Sequence, residues 1–251
     1  MQIQKFFPTD YDKKQLAQYR KNNIKNNSIN YNDMIVEKPC GYENLLFCNR
    51  EVEVWNLYIK HKGQTSMHCH PDKKTALIVI EGKARFSTLR ETADLGPYDS
   101  VIIDSGVFHS TESLSLEGIR VIEVETPGGM KHNIYRLQDK YGRSGKSYEG
   151  KDKMHLDTEK STRFPTIDRL KFFQKIISKS IIEIRRIQKR SLFETDIHFD
   201  TDDFIVILGG SIPFSEQEIS YGVADIVQVQ DLNLLRHVPL EDVTFMRIKS
   251  S

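Results

Sequence analysis

Apolar and polar positions alternate with a period of two through much of this chain. Between Glu51 and Lys60, Val52, Val54, Asn56 and Tyr58 alternate with Glu53, Trp55, Leu57 and Ile59, which predicts a strand with one face in a core. Thr75–Ile80 is a short, largely apolar strand that ends at the turn pair Glu81-Gly82. Lys83–Leu89 is expected to return as its hairpin partner. Val101–Ile103 and Ile119–Val124 read as two further strands. Short strands punctuated by Gly and Pro at spacings of about ten residues predict a sandwich or barrel.

The flanks depart from that pattern. Residues 1–36 are rich in Lys, Asn, Gln and Tyr and read as an N-terminal arm. Asp10 is placed to cap a short helix over Asp12–Arg20, and the Asn-rich run 21–27 favours loop. The barrel proper is expected over 37–130, ending near Pro127-Gly128-Gly129. Residues 131–162 are polar and read as an excursion and linker. Ile167, Leu170, Phe172, Phe173 and Ile176 have mixed helical spacing, with Thr166 as a cap, and predict a helix. Strand signals resume at 181–184, 204–208, 224–229 and 243–248, so 163–251 is expected to be a second β domain.

Composition narrows the partners. The 251 residues suffice for one large or two small domains. With 36 basic and 35 acidic residues, no global field draws the chain to nucleic acid or to an anionic membrane. Three cysteines, Cys40, Cys48 and Cys69, without a repeating spacing argue for a reducing compartment. The N-terminus lacks the apolar core of a signal peptide, and no run approaches the roughly 20 residues that span a bilayer. A cytoplasmic protein is expected, with a homodimer among its expected assemblies.

The chemistry gathers between Gly63 and His109. His68 and His70 lie two apart on a strand and point to one face, whereas Cys69 points to the other and reads as a small packing residue. His109 follows the turn Asp104-Ser105-Gly106. Three neutral imidazoles bind divalent ions such as Zn, Fe, Mn or Ni and leave positions open for substrate. The run Gly63-x4-His68-x-His70-x4-Thr75-x6-Gly82, followed by Asp104-x-Gly106-x2-His109, resembles the two motifs of the cupin superfamily (RmlC-like jelly rolls). The resemblance implies a mostly β, double-stranded β-helix barrel whose motif histidines bind a divalent metal. The family's usual glutamate ligand is missing, since Thr75 stands at its position.

Glu37-Lys38-Pro39-Cys40-Gly41-Tyr42-Glu43 resembles the lead-in of mannose-6-phosphate isomerase-like cupins, with Cys40 at the tryptophan position. It reads either as a substrate contact or as a turn that pins the arm to the barrel. The resemblance implies a sugar phosphate or nucleotide sugar as ligand, in the isomerase or epimerase class and in surface carbohydrate biosynthesis. A three-histidine Fe(II) dioxygenase and a non-catalytic sugar-binding cupin are the alternatives. An anionic sugar needs cations, and Lys73, Lys74, Lys83, Arg85 and Arg120 lie near the motif in sequence. Thr75, Tyr98 and Phe108 complete the candidate substrate contacts. No catalytic base is identified: Glu81 falls on a turn and His61 precedes the motif.

The second half can be laid over the first by its turn glycines. Phe204–Gly210 parallels Ala76–Gly82, Tyr221–Val227 parallels Gly96–Ile102, and Val243–Ile248 parallels Ile119–Val124. The expected fold is therefore two barrels, the second degenerate. In that register Asp196, His198 and Asp203 fall where His68, His70 and Thr75 fall, and His237 lies near the position of His109. A second carboxylate–histidine site and a solvated loop are both open readings there.

Overall fold

The structure, a computed structural model, describes the chain apart from residues 1, 20–29, 131–132, 147, 158–160, 162, 165–171, 188–198, 201–202, 215–218, 230–241 and 251. It divides into two compact units, Met1–Arg163 and Phe164–Ser251.

The first unit opens with strand β1 (Ile3–Phe6) and helix α1 (Asp10–Tyr19), followed by β2 (Met34–Lys38), β3 (Gly41–Cys48) and β4 (Glu53–Ile59). Next come β5 (Met67–Cys69), β6 (Lys74–Glu81), β7 (Ala84–Thr88), β8 (Thr92–Leu95) and β9 (Ser100–Ile103). β10 (His109–Ser113), β11 (Ile119–Thr126), β12 (Tyr135–Gln138) and β13 (Met154–Leu156) complete it. These strands form an eight-stranded sheet, β1-β9-β6-β11-β4-β3-β2-β13, and a five-stranded sheet, β12-β5-β10-β7-β8. Leu77, Val79, Phe86, Val101 and Val121 come from both sheets and fill the core between them.

β6 and β7 do not pair with each other, contrary to the expected hairpin. β6 lies between β9 and β11, while β7 joins β10 and β8 in the other sheet. Gly82 makes that corner possible. Its φ is +79°, and a Cβ there would meet the Gly118 carbonyl oxygen at 2.6 Å. The N-terminal arm and the expected linker are also part of the first barrel. β1 runs parallel to β9, and β2 pairs with β3. β12 extends the smaller sheet beside β5, and β13 pairs with β2. Apolar content alone misses these segments, because short edge strands hold their place by backbone hydrogen bonds.

Thr9, not Asp10, caps α1. The Asp12 amide donates to Thr9 Oγ1 at 3.3 Å, and the Thr9 amide donates to Asp12 Oδ2 at 2.8 Å, a reciprocal capping box. Buried Asp12 also accepts from the Phe108 amide at 3.1 Å, so the cap ties α1 to the residue before His109. Asp12→Ala is expected to lower unfolding free energy by about 2 kcal/mol, since it removes a cap and leaves a buried amide without its acceptor. A urea titration checks this. The Asn-rich run 21–27 lies outside the described residues.

The second unit holds β14 (Phe172–Ile177), β15 (Ser180–Ile187), β16 (Phe204–Gly209), β17 (Ile212–Phe214), β18 (Ile219–Tyr221), β19 (Ile226–Gln228) and β20 (Val243–Ser250). The helix expected around 167–176 is not formed over its described part. Phe172, Phe173 and Ile176 lie on β14, which pairs with β15 across the turn at Ser178, whose φ is +55°. The rest of that segment lies outside the described residues.

The order β14-β15-β20-β16-β19 repeats the order β3-β4-β11-β6-β9 of the first unit. One turn recurs bond for bond. Tyr98 donates its amide to Val79 O at 2.6 Å, and Ala224 donates to Ile207 O at 2.8 Å. Gly96 donates to Asp99 Oδ2 at 3.0 Å, and Gly222 donates to Asp225 Oδ2 at 2.8 Å. Tyr98 and Ala224 both have positive φ, +70° and +61°. The repeat thus matches Gly222 to Gly96, one residue away from the register suggested by sequence. The fold is mostly β, built from two jelly-roll units.

Candidate metal centre

β5 lies between β10 and β12, and this brings the three histidines together. His68 is directly opposite His109 on β10, so both side chains point to one face. His70 follows at the end of β5, where its backbone carbonyl accepts from the Gly106 amide at 2.8 Å. Ring centroids are 4.5 Å apart for His68 and His109, 5.1 Å for His68 and His70, and 5.9 Å for His70 and His109. One nitrogen of each ring lies within 4.8 Å of the others.

The backbone fixes which nitrogen that is. His68 Nδ1 is 2.8 Å from Ser66 O, His70 Nδ1 is 2.7 Å from Asn133 O, and His109 Nδ1 is 3.0 Å from Val107 O. A carbonyl only accepts, so each Nδ1 carries the proton and each Nε2 keeps its lone pair. Burial lowers the His68 pKa well below its usual range, with His109 and His70 adding repulsion. Burial also pushes His109 down to about 4. The rings of His68 and His109 are neutral at pH 7, as metal ligation requires. His109 Nε2 is buried with no hydrogen-bond partner. An orphaned buried lone pair is costly, and a cation shared with the neighbouring rings would satisfy it. The donor set therefore fits a divalent metal.

Sequence motifs alone do not locate the carboxylate, and the structure does. Thr75 is buried and pairs across strands with Glu125 on β11. Glu125 Oε1 lies 3.5 Å from His70 Nε2. Two ligands held about 2.1 Å from one ion lie roughly 3 to 3.5 Å apart, so His70 and Glu125 are spaced to share it. His70, Glu123 and Glu125 form a second cluster with metal-ligand spacing, joined to the first through His70. Lys73 Nζ sits 2.8 Å from the same Glu125 oxygen, fully buried, and competes for it. A signal was present in the sequence: Glu123 and Glu125 alternate within the apolar strand Ile119–Val124 and its extension, on the face of Val121.

The cluster opens into a pocket with a cavity volume of about 70 Å3. His68, His70, His109, Glu123 and Glu125 line one part, and Lys38, Cys40, Tyr42 and Glu43 of the lead-in line another. Gly41 must be glycine here, because its φ is +156° and a Cβ would sit 1.9 Å from the Tyr58 carbonyl oxygen. The other expected contacts stand elsewhere. Arg85 is on the outer side of its sheet with Asp94, at 2.9 Å, and Arg120 lies 3.5 Å from Glu81. Tyr98 holds the turn before β9, and Phe108 packs edge-on against Tyr135 with ring centroids 5.7 Å apart. Lys73, Lys74 and Thr75 flank the cluster from the strand behind it and do not line the pocket. His61 Nδ1 is 3.0 Å from Ser115 O, away from the pocket wall. Cys69 is buried outside the pocket, and none of the three cysteines forms a disulfide.

No protein-family model matches the chain, and no curated protein is significantly similar to it. Solved structures do resemble it. An RmlC-like cupin from Shewanella frigidimarina is 19% identical over 38% of this chain and 83% of that one, with a TM-score of 0.35. A putative sugar phosphate isomerase from Acidithiobacillus ferrooxidans is 19% identical over 31% of this chain and 51% of that one, at 0.29. A variant of Bacillus subtilis oxalate decarboxylase is 15% identical over 90% of this chain and 78% of that one, at 0.42. Values of this size do not bear on activity.

In the second unit, Asp196, His198 and His237 lie outside the described residues. Asp203, at the position of Thr75, is bonded to Arg247, which occupies the position of Glu123. Arg247 also lies 3.6 Å from Glu183. At those two positions a buried ion pair stands where the first unit has threonine and a candidate ligand.

Proposed function

We propose that the chain is a metal-binding cupin acting on a sugar phosphate or nucleotide sugar, as an isomerase or epimerase in surface carbohydrate biosynthesis. The supporting observation is the convergence of three histidine Nε2 atoms whose Nδ1 atoms are each engaged by a backbone carbonyl. A divalent ion held by His68, His70 and His109, with Glu125 as a fourth ligand, would supply Lewis acidity toward a carbonyl or hydroxyl pair. Ser66, Asn133 and Val107 hold the rings at fixed angles. Glu123, on the pocket wall beside this set, is the group assigned to move a proton. The lead-in residues Tyr42 and Glu43 shape the pocket for a polar ring. No described helix is long and apolar enough to cross a membrane. The setting we infer is cytoplasmic, without nucleic-acid or membrane partners, and a homodimer is the assembly we propose.

Glu125 also weakens the basis for the dioxygenase alternative, which rested on a site with no carboxylate. Proton exchange at a sugar carbon tests the choice. Protein loaded with zinc or manganese is expected to move deuterium from solvent into mannose 6-phosphate or a nucleotide sugar, followed by proton NMR. The rate should fall at least a hundredfold in His68→Ala. Oxygen uptake by iron-loaded protein without deuterium exchange would instead select the dioxygenase.

A further inference from the structure

Part of the pocket wall carries three cations, balanced by Glu43, Glu149 and Asp139, and two of the three come from outside the stretches expected from sequence to contact a ligand. Lys38, Arg136 and Arg143 line the cavity, and the last two come from the stretch read as a linker. β12 aligns Arg136 directly with His68, so the guanidinium is on the histidine side of the sheet. Glu149 does not line the cavity. Its carboxylate ties the three cations together, at 3.0 Å from Lys38 Nζ, 3.1 Å from Arg136 Nη2 and 2.6 Å from Arg143 Nη1. Lys38 is also 3.1 Å from Glu43 and lies 4.0 Å from the centre of the Tyr148 ring.

Arg143 has donors left over. Nε and Nη2 fork onto Asp139, and one Nη1 hydrogen goes to Glu149. A guanidinium has five N–H groups, so one on Nη1 and one on Nη2 remain. The side chain is 13% exposed and on the cavity wall. Three cations fixed in place by carboxylates, with spare fork donors on Arg143, form a preorganised site for planar or tetrahedral oxygen anions.

Taking the sugar-type ligand of the preceding section as given, we propose that Lys38, Arg136 and Arg143 bind its oxyanion group, phosphate or carboxylate, while its ring oxygens face the histidines. Glu149 holds the cations in register, and the lead-in lysine is a ligand contact as well as a turn residue.

Titration calorimetry on the full chain, zinc-loaded and metal-free, tests this with mannose, mannose 6-phosphate, galacturonate and inorganic phosphate. Wild type is expected to bind one of the two anionic sugars at least tenfold more tightly than mannose, and which one identifies the oxyanion. Arg143→Gln should erase that preference while changing zinc affinity less than twofold. Arg143→Lys, which keeps the charge but loses the fork, should retain part of it, and it replaces the glutamine variant if that one does not fold. Unchanged anion preference in either variant overturns the assignment, as does a wild type that binds no anion. Mannose binding without anion preference overturns it and leaves the sugar reading standing. Inorganic phosphate binding that depends on Arg143, with no sugar bound, does the reverse.

Discussion

His70→Ala is expected to reduce divalent-metal affinity by roughly a hundred- to a thousandfold. Four-ligand structural zinc sites bind with about 10–16 kcal/mol, so one ligand carries on the order of 3 kcal/mol. His70 should sit at the upper end, because it belongs to both clusters: the histidine set and the pair with Glu125. Its removal also leaves Asn133 O without the Nδ1 donor. Competition with a chromophoric chelator measures the affinity, and circular dichroism of the metal-free variant checks that the barrel persists. Glu125→Gln serves as the comparison. If Glu125 is a ligand its loss should cost about tenfold or more, and an unchanged affinity would show that Lys73 keeps the carboxylate to itself.

The three histidines were legible because a strand's period of two and a short turn fix their direction. Thr75 was legible as a gap. What filled the gap was not, because Glu125 is 50 positions away in the chain and reaches His70 only through the pairing of β11 with β6. Register between strands of different hairpins is a tertiary property, and one residue of slip would turn Glu125 out of the barrel. The same limit explains the linker. Arg136, Arg143 and Glu149 look like a solvated polar run in one dimension, yet Arg136 and Glu149 are buried and Arg143 half-buried, and both arginines pair with Glu149. The misplaced β7 has another origin: a turn glycine marks a reversal but not whether the chain stays in its sheet. The internal repeat was legible from Gly82 and Gly210, which both have positive φ at the same corner, +79° and +76°.

Glu149→Gln is expected to cost about 3–5 kcal/mol of folding stability, the effect of breaking a buried ion cluster from one side. Lys38, Arg136 and Arg143 would lose their common partner while remaining largely buried. Each side already shows that strain and its compensation. Burial alone would raise the Glu149 carboxyl, but Lys38 and Arg136 outweigh it and hold it far below the usual carboxylate range. Burial lowers Arg136 despite Glu149 beside it, whereas in Lys38 the charges of Glu43 and Glu149 outweigh burial and raise the ammonium. The sign in pH follows from the depressed carboxyl. Below its unfolded pKa, near 4.5, the unfolded chain takes up a proton that the folded chain refuses, so stability falls as pH falls. Above that pH the contribution is fully present. Wild type should therefore hold a flat urea midpoint from pH 8 to about 5 and lose stability steeply below about 4.5. Glu149→Gln should start lower and show a shallower acid limb, because the titrating group is gone. Parallel acid limbs in the two proteins would place the acid sensitivity in other carboxylates, and the loss at pH 7 would then measure packing around residue 149 rather than its charge.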